Sequence, residues 1–242
     1  MSGPPVLQTV GLEKRFGGVH AIAGVDFTVA EGELRCLIGP NGAGKTSFFR
    51  CLTGRRDQGR ATGQVLIRGQ DVAHWRAHQI VQLGVGIKTQ VPSLMNGLTV
   101  EENVWLAARR VHGFAGASGV VQEVMTELHI AEIARRVVGE LAHGQRQLVE
   151  IAVVIVQRPW LVLLDEPAAG MTGEEIERLV GVIRRINQTA AVIVVDHDMA
   201  FVRMLASNVT VFHRGAILVD GSAERVLDDA RVREVYLGNR AR

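Results

Sequence analysis

The chain has 242 residues, of which 47% are hydrophobic and 21% charged, with a formal net charge of +2. That length and apolar content support a buried core and exclude a disordered chain, while the near-balanced charge gives no electrostatic ground for nucleic-acid binding and selects no partner by itself. Two cysteines, Cys36 and Cys51, fall where the pattern reads as a buried strand and helix. They fit reduced packing residues and a cytoplasmic compartment better than a secreted disulfide framework.

In chain order, the opening "MSGPPVLQTV" has no basic or long apolar leader region. No later uncharged apolar run reaches the roughly 18 residues of a spanning helix, so work at a membrane requires partner subunits. Short runs rich in Val, Ile and Leu then alternate with longer helical patterns, the rhythm of an α/β core whose strands are covered by helices. Residues 33–38 run straight into Gly39, residues 160–164 end at Asp165 and Glu166, and residues 191–195 end at Asp196 and His197. Each run delivers polar chemistry at a strand's C-terminal end, where open α/β sheets place ligands, so three distant segments are expected to converge on one site. Between them, residues 101–111, 120–130 and 145–157 are proline-free helical patterns that predict an inserted helical subdomain over about 92–157. Residues 209–213 and 216–219 flank Arg214-Gly215 at hairpin spacing, and residues 223–237 read as one closing helix. There is no internal repeat.

The segment Gly39-Pro40-Asn41-Gly42-Ala43-Gly44-Lys45-Thr46 has the form G-x-x-x-x-G-K-[ST] and sits between a predicted strand and a predicted helix. Its glycines let successive backbone N–H groups face phosphates, and the following helix adds its positive end. Lys45 is expected to reach the β- and γ-phosphates, Thr46 to offer a hydroxyl to Mg²⁺, and Ser47 to add a phosphate contact. The alternative, a glycine-rich turn that merely starts a helix, explains neither Lys45 nor the hydroxyl after it. Four apolar residues at 161–164 then carry two acids toward a metal-phosphate site. Asp165 would hold Mg²⁺ through water, and Glu166 is the candidate general base for an attacking water, against the alternative of an acidic strand-end turn. Two residues stay open on their own: His197 either senses the terminal phosphate or is an ordinary strand-end histidine, and Phe16 either stacks on adenine or packs.

Taken in order, the glycine loop, Gln90, the stretch Leu141-Ala142-His143-Gly144-Gln145, the acidic pair and His197 resemble the ATP-binding subunits of ABC transporters. The resemblance runs from Phe16, at the adenine-stacking position, to the closing Val235-Tyr236-Leu237-Gly238. It implies a single ABC ATPase domain over 1–242: a P-loop (RecA-like) nucleotide-binding core at about 1–91 and 158–242, with a β-rich N-terminal part, and the helical subdomain inserted between. It also implies ATP and Mg²⁺ as cofactors, bound in two copies between two such domains. By this likeness Ala142, His143, Gly144 and Gln145 belong to a signature segment that meets the γ-phosphate held by the opposing subunit. Ala142 and His143 depart there from the family's serine-glycine-glycine; His143 adds a donor or fills space. Gln90 matches the glutamine that contacts Mg²⁺ or the attacking water and links the site to the membrane subunits, with Thr89 in place of the common aromatic. Thr172, in the loop after the acids, stands where many relatives carry aspartate.

Within the family, "LAHGQ", "DEPAAGMT", "DHDMAFVR" and "REVYLG" resemble importers for branched-chain amino acids, urea and short amides, and "GELRCLIGPNG", "GVGIKTQVPS" and "HGQRQ" lean toward the urea type. The implied partners are ABC permease subunits and a second ATPase subunit, non-identical or a second copy, with a periplasmic binding protein acting indirectly and no nucleic acid. The implied location is cytoplasmic, peripheral on the inner face of the membrane. Two rival classes are a soluble ABC-type ATPase acting on nucleic acid or ribosomes, and a P-loop kinase or unrelated NTPase; the kinase reading leaves the signature segment and His197 unexplained.

Overall fold

A computed structural model of the chain describes residues 5–55, 59–91 and 93–237; Gly238 of the closing motif and Pro92 at the expected subdomain boundary lie outside them. The elements run β1 (Pro5–Phe16), β2 (Val19–Ala30), β3 (Leu34–Ile38), α1 (Lys45–Leu52), β4 (Arg60–Ile67), β5 (Gln70–Asp71), α2 (Ala77–Gln82) and β6 (Val85–Lys88). They continue with α3 (Val100–Glu127), α4 (His143–Ile155), β7 (Leu161–Asp165), α5 (Gly173–Asn187), β8 (Ala191–Val195), α6 (Met199–Leu205), β9 (Asn208–His213), β10 (Ala216–Ser222), α7 (Ala223–Leu227) and α8 (Ala230–Leu237).

Buried and exposed residues mix along β1 and β2, as in antiparallel strands with one face on a core. They pair antiparallel, and β4 and β5 extend the sheet in the order β2-β1-β4-β5. In contrast, all five residues of β3, of β7 and of β8 are buried, the signature of parallel strands covered on both faces. They lie in a second sheet of order β10-β9-β3-β8-β7-β6 in which β10 alone is antiparallel to its neighbour. Adjacent parallel strands end on one edge, which brings Gly39, Asp165 and Asp196 together as the three apolar runs predict.

Side chains alternate across this sheet. Cys36, Ile38, Val162, Leu164, Val192 and Val194 join a core with α3, α4 and α5. Leu37, Leu161, Leu163, Ile193 and Val195 face α1 and the antiparallel sheet. Neither cysteine forms a disulfide among the described residues, and Cys36 is buried. No helix among the described residues is long and apolar enough to cross a membrane.

The helices depart from the sequence reading in three places. The patterns at 101–111 and 120–130 are two helical stretches, together labelled α3, that abut at a non-helical kink at Gly113 (φ 68°, ψ −177°) rather than across a loop, the second ending at Glu127 and not 130. Its start is fixed by Thr99, whose hydroxyl accepts the Glu102 N–H while the Glu102 carboxylate accepts the Thr99 N–H. Helix α4 begins at His143 rather than 145, because the Gln145 side chain accepts the Ala142 N–H and closes the first turn two residues earlier. The closing segment is two helices: Asp229 accepts the Arg231 N–H on its carboxylate and those of Val232 and Arg233 on its carbonyl, which starts a fresh helix.

Phe48 fixes α1 to the rest. Its fully buried ring packs edge-on against Phe27 at 5.4 Å and tilted against Phe212 at 4.9 Å, so one side chain from each sheet meets on the helix that follows the glycine loop. Phe48→Ala is expected to lower unfolding free energy by about 3–5 kcal/mol, read as a lower midpoint in denaturant with an unchanged slope.

Candidate functional site

Strand β3 carries the chain straight into the loop 39–44, and two glycines there have no substitute. A Cβ at Gly39 (φ +150°) would lie 2.2 Å from the Phe212 carbonyl oxygen, and one at Gly44 (φ +104°) 2.4 Å from that of Ala21. The loop is braced from behind: the Gly215 N–H, in the β9–β10 turn, donates to the Ala43 carbonyl at 2.8 Å, and the Gly215 carbonyl accepts the Ala23 N–H at 2.9 Å. Helix α1 starts at Lys45 with no side-chain cap at Gly44, so its first N–H groups are presented to an anion. The Lys45 ammonium donates to the Gly39 carbonyl at 2.5 Å and to that of Pro40 at 3.2 Å. Burial lowers its pKa, opposed by the charges of Glu166, Asp196 and Asp165. Thr46 is exposed and Ser47 half-buried at the mouth of this cradle.

Asp165 is the last residue of β7 and is buried. Burial first, and the Glu166 charge second, push its carboxyl up to about 6, while Lys88 and Arg50 pull it down. Glu166 stands at φ 44°, a left-handed conformation rare for a residue with a side chain, and its N–H donates to the Val195 carbonyl at 2.8 Å. The strained turn aims the carboxylate at two partners. Gln90 donates from Nε2 to one oxygen at 3.0 Å, and Nδ1 of His197 lies 3.3 Å from the other. Three residues taken from separate parts of the sequence thus form one contiguous cluster.

Asp196 was read in the sequence only as the neighbour of His197. Its Oδ1 accepts the N–H groups of His197 (2.7 Å) and Asp198 (3.0 Å), so it shapes the turn that presents the imidazole. Its Oδ2 is buried without a partner among the described residues, and burial raises its pKa. The signal was present in the sequence: an acid directly after an all-apolar strand, as at Asp165.

The other expected residues lie apart. Phe16 sits half-buried at the β1–β2 turn, its ring centroid 5.3 Å from Lys14 Nζ. No hydrogen bond or ring contact joins it to the glycine loop among the described residues. At the start of α4, Ala142 and His143 are exposed. Gly144 is buried, and a Cβ there would lie 2.1 Å from Glu175 Oε1. Nε2 of His143 meets the Ala169 carbonyl oxygen at 2.8 Å and lies 3.1 Å from Gln147 Nε2, so the ring contacts its own chain. Thr172 caps α5, its N–H donating to the Glu175 carboxylate at 2.8 Å. None of residues 142–145 has a hydrogen bond or ion pair to the glycine loop of the same chain among the described residues.

No group of three or more His, Cys, Asp or Glu side chains among the described residues could hold a metal ion by itself. A divalent cation beside Asp165 therefore needs phosphate oxygens or water as ligands too, the usual arrangement for Mg²⁺. The uncapped helix start, the glycine cradle and the buried, poorly compensated acids fit a phosphate-bearing ligand with its cation.

Parallel strands that end in such a loop and in an Asp–Glu pair whose aspartate is buried define a P-loop nucleotide hydrolase. Residues 22–169 match the ABC transporter family, and the chain belongs to that family and is an ATPase. It is 33% identical over 252 residues to the high-affinity branched-chain amino acid transport ATP-binding protein BraF of Pseudomonas aeruginosa, covering 97% of this chain and 98% of that one. LivG of Escherichia coli, which carries the same description, is 31% identical over 253 residues with the same coverage. Among solved structures, the ADP conformation of MJ1267, an ATP-binding cassette of an ABC transporter, superposes with a TM-score of 0.84 at 25% identity, covering 97% of this chain and 99% of that one.

The Asp165 carboxyl has a sign that can be tested. Its pKa rises from 3.8 to about 6 on folding, so between those values the folded chain holds a proton that the unfolded chain has released. Metal-free stability contributed by this group therefore falls as pH rises through that window and is flat above it. Asp165→Asn is expected to remove this decline, seen as a smaller loss of unfolding midpoint than wild type between about pH 4 and about pH 7.

Proposed function

We propose that this chain is the ATP-hydrolysing subunit of an ABC importer, working on the cytoplasmic face of a membrane through partner permease subunits. The observation that carries the catalytic reading is the Glu166 carboxylate, with Gln90 on one oxygen and His197 beside the other, on the sheet edge next to the glycine loop. Bound Mg²⁺ neutralises phosphate charge and bound ATP supplies the γ-phosphoryl group to be transferred to water.

The chain's own residues divide the remaining work. Backbone N–H groups of 39–47 cradle the phosphates, and Lys45 leaves the Gly39 and Pro40 carbonyls to meet the β- and γ-oxygens. Ser47 adds a phosphate contact, and Phe16 stacks on the adenine. Thr46, Asp165 and Gln90 hold the cation, Asp165 through water. Glu166 accepts the proton of the attacking water, and His197 reports whether the terminal phosphate is present. Ala142, His143, Gly144 and Gln145 serve a second nucleotide site on a partner ATPase subunit. Their place at a helix start, with Ala142 and His143 exposed and the segment away from its own loop, supports this reading. The partner is a non-identical subunit, or alternatively a second copy. The layout is one ATPase domain, with the core at about 1–91 and 158–242 and a helical subdomain at about 92–157.

Glu166→Gln is expected to bind ATP with near wild-type affinity and to lose roughly 10²- to 10⁴-fold in turnover. Unchanged turnover would remove Glu166 from the role of base.

The cargo is a small polar solute delivered by a periplasmic binding protein. The similarity to BraF and LivG favours a branched-chain amino acid; the segments "GELRCLIGPNG", "GVGIKTQVPS" and "HGQRQ" favour urea or a short amide. Copurification with permease subunits checks the importer reading. In vesicles holding the whole complex, stimulation of ATPase by binding protein loaded with leucine, and not with urea, decides for the amino acid; the reverse decides for urea.

A further inference from the structure

Lys88 and Glu150 are two buried charges that the mechanism above does not use. They are 4% and 5% exposed, with Nζ 3.2 Å from Oε2. Lys88 ends β6, the edge strand of the large sheet, which has β7 as its one neighbour. Glu150 lies in the middle of α4, one face of which packs against β6. Removing two charges from water costs about as much as their attraction returns, and an apolar pair of similar volume would hold strand to helix as well or better. What the ion pair adds is a fixed point of registry, where apolar contacts slide.

Its place gives that registry a consequence. Gln90 follows Lys88 by two residues and donates to Glu166 at 3.0 Å. At the other end of the link, α4 begins at His143, which meets the Ala169 carbonyl at 2.8 Å, three residues past Glu166. The contacts therefore close a ring from the candidate base through the ion pair and α4 back to the base's own loop.

We propose that the Lys88–Glu150 ion pair is a positioning link that registers the start of α4 against Gln90 and Glu166, so that nucleotide in this chain's site is felt at the segment it offers a partner. The inference rests on the ATPase reading above. Both residues act through others and touch no substrate.

The test uses the purified full chain at a dilution where it is monomeric, compared with K88M, E150Q, the double variant K88M/E150L, and K88M/E150M as an alternative packing. Each single variant strands a buried charge and lowers the thermal midpoint; a double variant recovers it. Hydrogen exchange is followed with and without Mg·ATP. In the wild type, nucleotide is expected to protect both 39–47 and 143–150. The double variant keeps the first and loses the second, and its turnover, measured separately on the assembled pair of ATPase subunits, falls about tenfold at unchanged KM. K88R/E150D, which keeps the charges with a balanced reach, restores both. Wild-type protection and turnover in the double variant would overturn the link, as would a wild type protected at 39–47 and not at 143–150. No protection at 39–47 in the wild type would instead refute the nucleotide site itself.

Discussion

The pairing of β3 between β8 and β9 is the constraint on which the site depends. Because β3 runs parallel to both neighbours, and β8 and β7 run parallel to each other, the glycine loop, the Asp165–Glu166 pair and the Asp196–His197 turn leave the sheet at one edge. Hydrogen bonds continue the ladder into the turns: the Asp196 N–H donates to the Leu37 carbonyl and the Glu166 N–H to that of Val195. The left-handed turn at Glu166 is thus anchored by the neighbouring strand, which is how a strained backbone persists where chemistry needs its side chain turned out.

Charge at that edge is unbalanced. Asp165, Glu166 and Asp196 all bear on Lys45, and desolvation pushes the two aspartates toward their protonated forms. A polyanion entering this surrounding without a cation would meet three carboxylates and one buried ammonium. The geometry therefore suits a metal–nucleotide complex far better than the bare nucleotide, and the orphaned Oδ2 of Asp196 is one more acceptor for the donors such a complex brings.

Much of this was legible in the sequence because it is local. All-apolar runs ending in acids, and a glycine loop with its lysine, are short-range patterns whose meaning is fixed by strand geometry. The pairing of Gln90 with Glu166 was legible only as order along the chain, since which oxygen meets which donor depends on a left-handed turn that no propensity predicts. The sequence leaves His143 as donor or filler, and its meeting with the Ala169 carbonyl is a tertiary contact that no local pattern shows. Lys88 and Glu150 gave no signal, because a lysine in a strand pattern and a glutamate in a helix each look solvated until tertiary packing buries them together. The kink that joins the two stretches of α3 and the split of the closing segment turn on a single glycine and a single capping aspartate, Gly113 and Asp229, which periodicity alone passes over.

The bond from Gly215 to Ala43 carries one further meaning. It ties the phosphate cradle to a hairpin and, through Ala23, to the antiparallel sheet, on the side away from α3 and α4. Neither bond is made by α3 or α4, so this wall of the cradle is built without the helical layer.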